Sequence, residues 1–298
     1  HCQLTQRYTE GSSWTAYEMK DLVWMGSDDV DLSIESHQRL AVPFVFGCQL
    51  TESGLFRTQY ADGIMGMTMD PYSIISAFHD NGSIRRKSFS MCLDRNDGIL
   101  SLGGHLSENH HVGPMQFTNL IPGTSLYSVV VQSIYLNNEE IKNGVSGFNT
   151  GRGTIIDSGT TDTYLPKDLG YAFWKAWLRV TGMNYSNTRQ EFTYSEFQTL
   201  PDITIVMQGG ARWVLRPEYY FEPAEPFQSN LRTNPSQAKA ATTKWTGKRG
   251  FTNRVYFDEP TGAILGSNSM MGHDIVFDVD LMRIGFATAD CTLRADEL

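Results

Sequence analysis

The sequence has little of what would mark nucleic-acid binding, membrane insertion or a metal-thiolate centre. Lys and Arg number 24 against 33 Asp and Glu, a net charge of −9, so no basic footprint for a nucleic acid exists. No stretch approaches the roughly 20 consecutive apolar residues that span a bilayer. The four cysteines, Cys2, Cys48, Cys92 and Cys291, form no C-x-x-C and no metal-ligand spacing. They read either as buried thiols or as disulfide partners from an oxidising compartment. Two N-x-S/T triplets, Asn81-Gly-Ser83 and Asn184-Tyr-Ser186, lean toward the second. No strict short-period repeat is present, which removes solenoids and propellers. The chain opens on His1 without a signal-peptide pattern and reads as a fragment or processed form.

What is there is a β pattern. A chain of 298 residues can bury one large β core or two lobes. Short apolar runs separated by turn residues recur at Val42–Gly47, Ile99–Gly103, Tyr127–Val131, Ile203–Met207 and Asp274–Asp278. Two segments have helical spacing. Asp70-Pro71 opens a run with Ile74, Ile75 and Phe78 on one face, closed at Gly82. Pro166 opens another with Leu169, Ala172, Phe173, Ala176, Trp177 and Val180, closed at Gly182. Residues 222–254 are polar, carry six Lys/Arg and lack apolar periodicity, so they read as a solvated surface insertion.

The sharpest signal is Gly153-Thr-Ile-Ile-Asp157-Ser158-Gly159-Thr160-Thr161. An apolar strand would hold the carboxylate rigidly, Gly159 would let the chain turn tightly, and the hydroxyls would bond the carboxylate and nearby backbone. A bare Asp-Ser-Gly is ordinary turn chemistry; the preceding apolar strand, the Thr-Thr pair and the Pro-led helix set this one apart. Ser158 and Ser12 lack the G-x-S-x-G elbow of a serine hydrolase. His110 and His111 would face opposite sides of a strand; they read as a solvated loop, with no metal and no cofactor expected.

These residues resemble the pepsin family of aspartic endopeptidases over nearly the whole chain, nearest to its β-secretase-like, protist secretory-pathway and nepenthesin-like members. Asp157-Ser158-Gly159-Thr160 matches the second-lobe active-site motif. Tyr8-Thr-Glu-Gly11-Ser12 is similar to the flap hairpin, Ala61–Gly66 to the first lobe's apolar-apolar-Gly element, and Ala263–Gly266 to its second-lobe counterpart. Phe89–Cys92 and Arg283–Ala287 follow in order. No second Asp-Ser/Thr-Gly occurs, and Ala16 stands where the flap usually carries Gly. An ordinary strand tyrosine is the alternative reading of Tyr8.

The resemblance implies an all-β, bilobal acid-protease fold with a few short helices and an incomplete first lobe. Residues 1–120 would be the later part of the first lobe, from the flap hairpin onward, and 121–298 the second lobe. It implies a dyad of carboxylates that activates water without metal or covalent intermediate, with Asp157 as one member. Ser158, Gly159 and Thr160 would support it, and Tyr8, Gly11, Ser12 and Thr161 would line the flap and substrate path. The partner would be an extended polypeptide bound as an added strand, the protein monomeric, and its route the secretory or endomembrane pathway, with a membrane anchor beyond Leu298 an open alternative. Ala295–Leu298 resembles a retention signal without its first residue. Relatives place a disulfide where Cys92 and Cys291 stand; Cys2 and Cys48 would then pair, or Cys2 would find a partner upstream. Relatives that have lost an aspartate and only bind peptides or proteins are the alternative function.

Overall fold

The computed structural model describes residues 2–8, 10–25, 41–58, 61–95, 98–106, 108–224 and 244–292. They fall into two compact units, one running to Lys87 and one starting at Ser88. The molecule is predominantly β, and each of the apolar runs singled out above contributes to a strand.

In the first unit an antiparallel sheet runs Gln3–Arg7, Ser13–Val23 and Val42–Ser53 in that order. The hairpin pairs Arg7 with Ser13 and Gln3 with Tyr17. Between the second and third strands the register shifts at Thr15/Ala16, where Thr51 and Gln49 are the partners and Leu50 is the extra residue. Ala16 is fully buried at this irregularity. The helix Ile74–Asp80 starts later than the Asp70-Pro71 pair suggests. Asp70 accepts from Tyr72 N–H in a turn, and Ser73 is the N-cap, accepting from Ser76 N–H. A cap hydroxyl stabilises the first turn more directly than an upstream Pro does. Its buried face is Ile74, Ile75 and Phe78, as the spacing requires.

Among the described residues the second unit contains four sheets. One is antiparallel, ordered 98–102, 88–93, 273–278, 283–288 and 116–119. Another, ordered 255–259, 163–166, 263–265, 154–156 and 128–129, carries the Asp157 turn. The helix Gly170–Thr181 follows a single 3-10 turn at Lys167–Leu169 and closes at Gly182 in the left-handed conformation. It buries Phe173, Ala176 and Trp177, and Phe173 and Trp177 meet Tyr185 edge-on.

Cys92 and Cys291 are bonded across a sequence separation of 199, a loop worth about 5 kcal/mol in the chain-entropy picture. The expected Cys2–Cys48 bridge is absent, and both cysteines are exposed free thiols. The sheet explains why. Cys2 O accepts from Glu18 N–H on the middle strand, and Cys48 pairs with Tyr17 on the far side of that strand. Two strand spacings separate them, roughly 9–10 Å, beyond the reach of about 7 Å between Cα atoms that a disulfide allows.

The insertion reading of 222–254 also needs correction. Residues 225–243 lie outside the described residues, but both flanks are structured. Phe221–Pro223 and Lys248–Asn253 pair as strands, and Lys248–Asn253 also pairs with Arg189–Thr193. Phe251 and Trp245 are buried against Phe197. Alternation of buried Phe251 and Asn253 with more exposed neighbours is a half-buried strand pattern, masked by the charges around it. The Ala295–Leu298 segment lies outside the described residues. Asn81 and Asn184 are exposed. No helix among the described residues is long and apolar enough to cross a membrane.

Candidate active site

The strand Thr154–Ile156 is buried at every position. It pairs in parallel with Ala263–Leu265, Ile156 opposite Leu265, and antiparallel with Ser128–Val129. The polypeptide leaves this strand at Asp157, whose N–H donates to Leu265 O at 3.1 Å. The carboxylate is thus fixed at the edge of a rigid buried sheet while its side chain is only half-buried.

Both oxygens of Asp157 are bonded within the turn. Gly159 N–H donates to Oδ1 at 2.9 Å and the Thr160 hydroxyl to Oδ2 at 2.7 Å. Thr160 N–H closes the turn on Asp157 O at 3.3 Å. Two donors, one on each oxygen, set the orientation of the carboxylate. Ser158 is exposed, and its hydroxyl has no hydrogen-bond partner among the described residues. Thr161 is exposed as well, and its carbonyl accepts from Asn268 N–H and the Ser267 hydroxyl.

A second layer holds the turn. Gly266 follows the strand Ala263–Leu265, and a Cβ there would overlap Asp162 O and come within 2.6 Å of Thr160 O. Only Gly allows the two backbones to approach this closely. Ser267 N–H then donates to Thr160 O at 2.7 Å. The buried Thr163 hydroxyl bonds Asn268 Oδ1 at 2.6 Å, and Asn268 Nδ2 donates to Arg254 O. Sequence reasoning found Gly266 but not Ser267, Asn268 or Thr163. A small-polar run directly after an apolar-apolar-Gly strand is the signal they leave. Asp162, beside the turn, titrates above the usual carboxylate range. Burial is the main cause and Glu222 adds to it, while Arg254, 4.0 Å away, opposes it.

The predicted flap residues sit in the first unit's hairpin. Tyr8 N–H donates to Ser12 O and Gly11 N–H to Tyr8 O, so Tyr8 and Ser12 flank the tip. Tyr8 is half-buried, its ring edge-on to Phe56 at 5.2 Å and its hydroxyl accepting from Trp14 Nε1 at 3.2 Å. Gly11 is exposed. Ser12 is buried and its hydroxyl accepts from Leu55 N–H at 3.0 Å, which anchors the hairpin tip to the 3-10 turn that follows the third strand.

His110 and His111 do face opposite ways, but not into solvent. The first is buried with Nδ1 on Asp290 O, and the second reaches Asp274. The solvated-loop reading fails because a strand bridge between His111 and Ala289 ties this segment down.

Among curated proteins, the chain is 37% identical over 135 residues to "Aspartic proteinase 36" of Arabidopsis thaliana, covering 44% of this chain and 27% of that protein. It is 25% identical to "Aspartic proteinase-like protein 1" of the same plant over 97% of this chain and 51% of that protein. It is also 25% identical to "Beta-secretase" of Strongylocentrotus purpuratus, over 65% of this chain and 36% of that protein. The chain spans about half or less of the length of these relatives. The family model for eukaryotic aspartyl protease matches residues 7–289. That span takes in the Tyr8 hairpin, the Asp157 turn and the sheet behind it, and with the predominantly β architecture it makes this chain a member of the eukaryotic aspartyl protease family.

Proposed function

We propose that this chain is part of an aspartic-type endopeptidase in which Asp157 is one of two carboxylates that activate water. The observation that carries the reading is the seat of Asp157, at the end of a fully buried strand with one donor on each oxygen. Such a seat pre-orients a carboxylate for proton transfer and lowers the reorganisation needed during reaction. Two facing carboxylates share one proton because like charges a few Å apart resist joint ionisation. The ionised member takes a proton from water, and the protonated member polarises the scissile carbonyl. The pair's titration belongs to both residues together, so the pH profile is bell-shaped.

The 298 residues carry a single Asp-Ser/Thr-Gly, so in this proposal the other carboxylate comes from outside them and the chain alone does not hydrolyse peptides. Residues 1–120 are assigned to the first lobe and 121–298 to the second. Tyr8 and Gly11 are assigned to a flap that touches an extended peptide, and exposed Ser158 to a bond with backbone beyond its own turn. Passage through the secretory pathway accords with the long-range disulfide and the two exposed N-x-S/T sites.

The test is an internally quenched peptide assay on this chain, on a longer parent carrying the upstream region, and on that parent with Asp157→Asn. Acid-range turnover is expected in the parent alone. Turnover by the Asp157→Asn parent equal to that of the unaltered parent removes Asp157 from the dyad. An inactive parent whose upstream motif lacks Asp moves the assignment to peptide binding without hydrolysis.

A further inference from the structure

A second cluster of chemically able side chains lies away from the Asp157 turn, in the second unit. The loop after the strand Gly98–Leu102 carries His105, and the short 3-10 turn Glu108–His110 leads into His111. Both rings approach Asp274, the second residue of the strand His273–Asp278. One ring nitrogen of each histidine and a carboxylate oxygen of Asp274 lie within 4.8 Å of one another.

Asp274 is fully buried. Its Oδ2 accepts from Leu106 N–H at 3.2 Å and faces His111 Nε2 at 2.9 Å. Its Oδ1 is buried and has no hydrogen-bond partner among the described residues. An unsatisfied carboxylate oxygen in the interior is costly, and a protein either pairs it or uses it. The histidines complement it. His105 Nδ1 lies 2.7 Å from Leu106 O, which fixes the proton on Nδ1 and turns a lone pair out on Nε2. A ligating imidazole is commonly held in this way, its other nitrogen donating to a backbone carbonyl. The two rings are stacked, their centroids 5.9 Å apart at 30°.

From this geometry we infer that His105, His111 and Asp274 bind one zinc-class divalent cation. Two imidazole nitrogens and one carboxylate oxygen are a borderline-soft donor set that suits Zn²⁺, Co²⁺ or Ni²⁺ and not Ca²⁺ or Mg²⁺. The cation takes the place of the proton between His111 Nε2 and Asp274. Bonds of roughly 2.0–2.2 Å place tetrahedral donors about 3.4 Å apart, so the 2.9 Å contact between His111 and Asp274 opens slightly to admit the ion. His105 is the exposed member of the set, whereas His111 and Asp274 are already in contact. The fourth position belongs to water on the exposed side.

The role that follows is structural. Asp274 pairs with Cys92, and Leu106 packs with Cys92, Ala289 and Cys291. The cation would pin the 103–111 segment to the strand beside the disulfide, a second cross-link at the same corner of the sheet.

The experiment uses the 298-residue chain, stripped with EDTA, with the exposed thiols of Cys2 and Cys48 blocked by iodoacetamide so that they cannot compete for metal. Zn²⁺ is titrated by calorimetry and Co²⁺ by its ligand-field absorption. One saturable equivalent is expected, with the visible bands of four-coordinate Co²⁺ and a raised unfolding midpoint. His105→Gln alters only an exposed ring and is expected to weaken binding at least about tenfold, the loss typical even of an outer-shell partner. His79→Gln, in the first unit and outside the cluster, is expected to change nothing. His111→Gln and Asp274→Asn are expected to abolish the Co²⁺ bands, with circular dichroism checking that each is folded. Absence of saturable Zn²⁺ binding by the unaltered chain overturns the site, and so does unchanged affinity in His105→Gln.

Discussion

The same short sequence element occurs twice in this chain with opposite outcomes. Ala263-Ile-Leu-Gly266 is a strand with Ala263 and Leu265 fully buried, lying parallel to Thr154–Ile156. Ala61-Asp-Gly-Ile-Met-Gly66 forms no strand, and Ile64 and Met65 are 57% and 46% exposed. An open cavity of about 730 Å³, lined by Val23, Phe44, Phe46, Ile64, Met65 and Gly66 among others, lies against it. The glycines differ in the same sense. A Cβ at Gly66 meets nothing within 4 Å, while one at Gly266 collides with backbone. An apolar-apolar-Gly run therefore supplies the capacity for a strand beside a turn such as that of Asp157. Pairing with an aspartate-bearing strand decides whether that capacity is used, because strands are stabilised by cross-strand partners more than by intrinsic preference.

The largest effect expected from this contrast is at the glycines. Gly266→Ala should lower the stability of the second unit by about 4 kcal/mol, since neither Asp162 O nor Thr160 O can move without breaking the turn. Gly66→Ala should leave this chain's denaturation midpoint unchanged. Urea unfolding of both variants measures the difference, and equal midpoints would break the comparison.

Next come the apolar positions. Leu265→Ala, at a site with no exposure, should cost about 2–5 kcal/mol through lost burial and a residual cavity. Met65→Ala should stay within about 0.5 kcal/mol, as exposed substitutions do. A longer chain in which Met65→Ala becomes as costly as Leu265→Ala would sharpen the comparison, because it would show the first element acquiring a partner strand.

The turn itself should respond more mildly. Thr160→Val removes the hydroxyl on Asp157 Oδ2 and should cost about 1 kcal/mol. Ser158→Ala, with no partner among the described residues, should cost nothing measurable in this chain. Thermal unfolding of the two side by side distinguishes a turn held from within from one held by its neighbours.

The smallest expected effect concerns pH. Burial holds Asp162 above the ordinary carboxylate range. Between its unfolded and folded values the folded chain holds more protons, so the contribution favours folding on the acid side and fades as pH rises through the folded value. Asp162→Asn should flatten that part of the stability profile by under about 1 kcal/mol. An unchanged slope between pH 4 and 7 would assign acid stability elsewhere.

Much of the site was legible because it is local. Asp157, Gly159 and Thr160 lie within four residues, so one turn delivers both donors to one carboxylate. The two longer helices, Ile74–Asp80 and Gly170–Thr181, were legible for a similar reason, since their apolar faces repeat within the segment. The charged 244–254 stretch hid a buried strand because Phe192, Phe197 and Phe221, far away in sequence, create the pocket that Trp245 and Phe251 fill.

By itself the sequence determined the β class and the Asp157 turn, since each is a property of residue type and near-neighbour spacing, while the hairpin at Tyr8–Ser12 and the pair Cys92 and Cys291 came from the family resemblance, not from local pattern. Only the tertiary structure decided the rest. It left Cys2 and Cys48 unpaired by placing a strand between them, and it buried Ser12 under Leu55 N–H. It also gathered His105, His111 and Asp274 across more than 160 residues of sequence. These outcomes depend on which strands become neighbours, and strand order is fixed by long-range pairing that a local pattern does not encode.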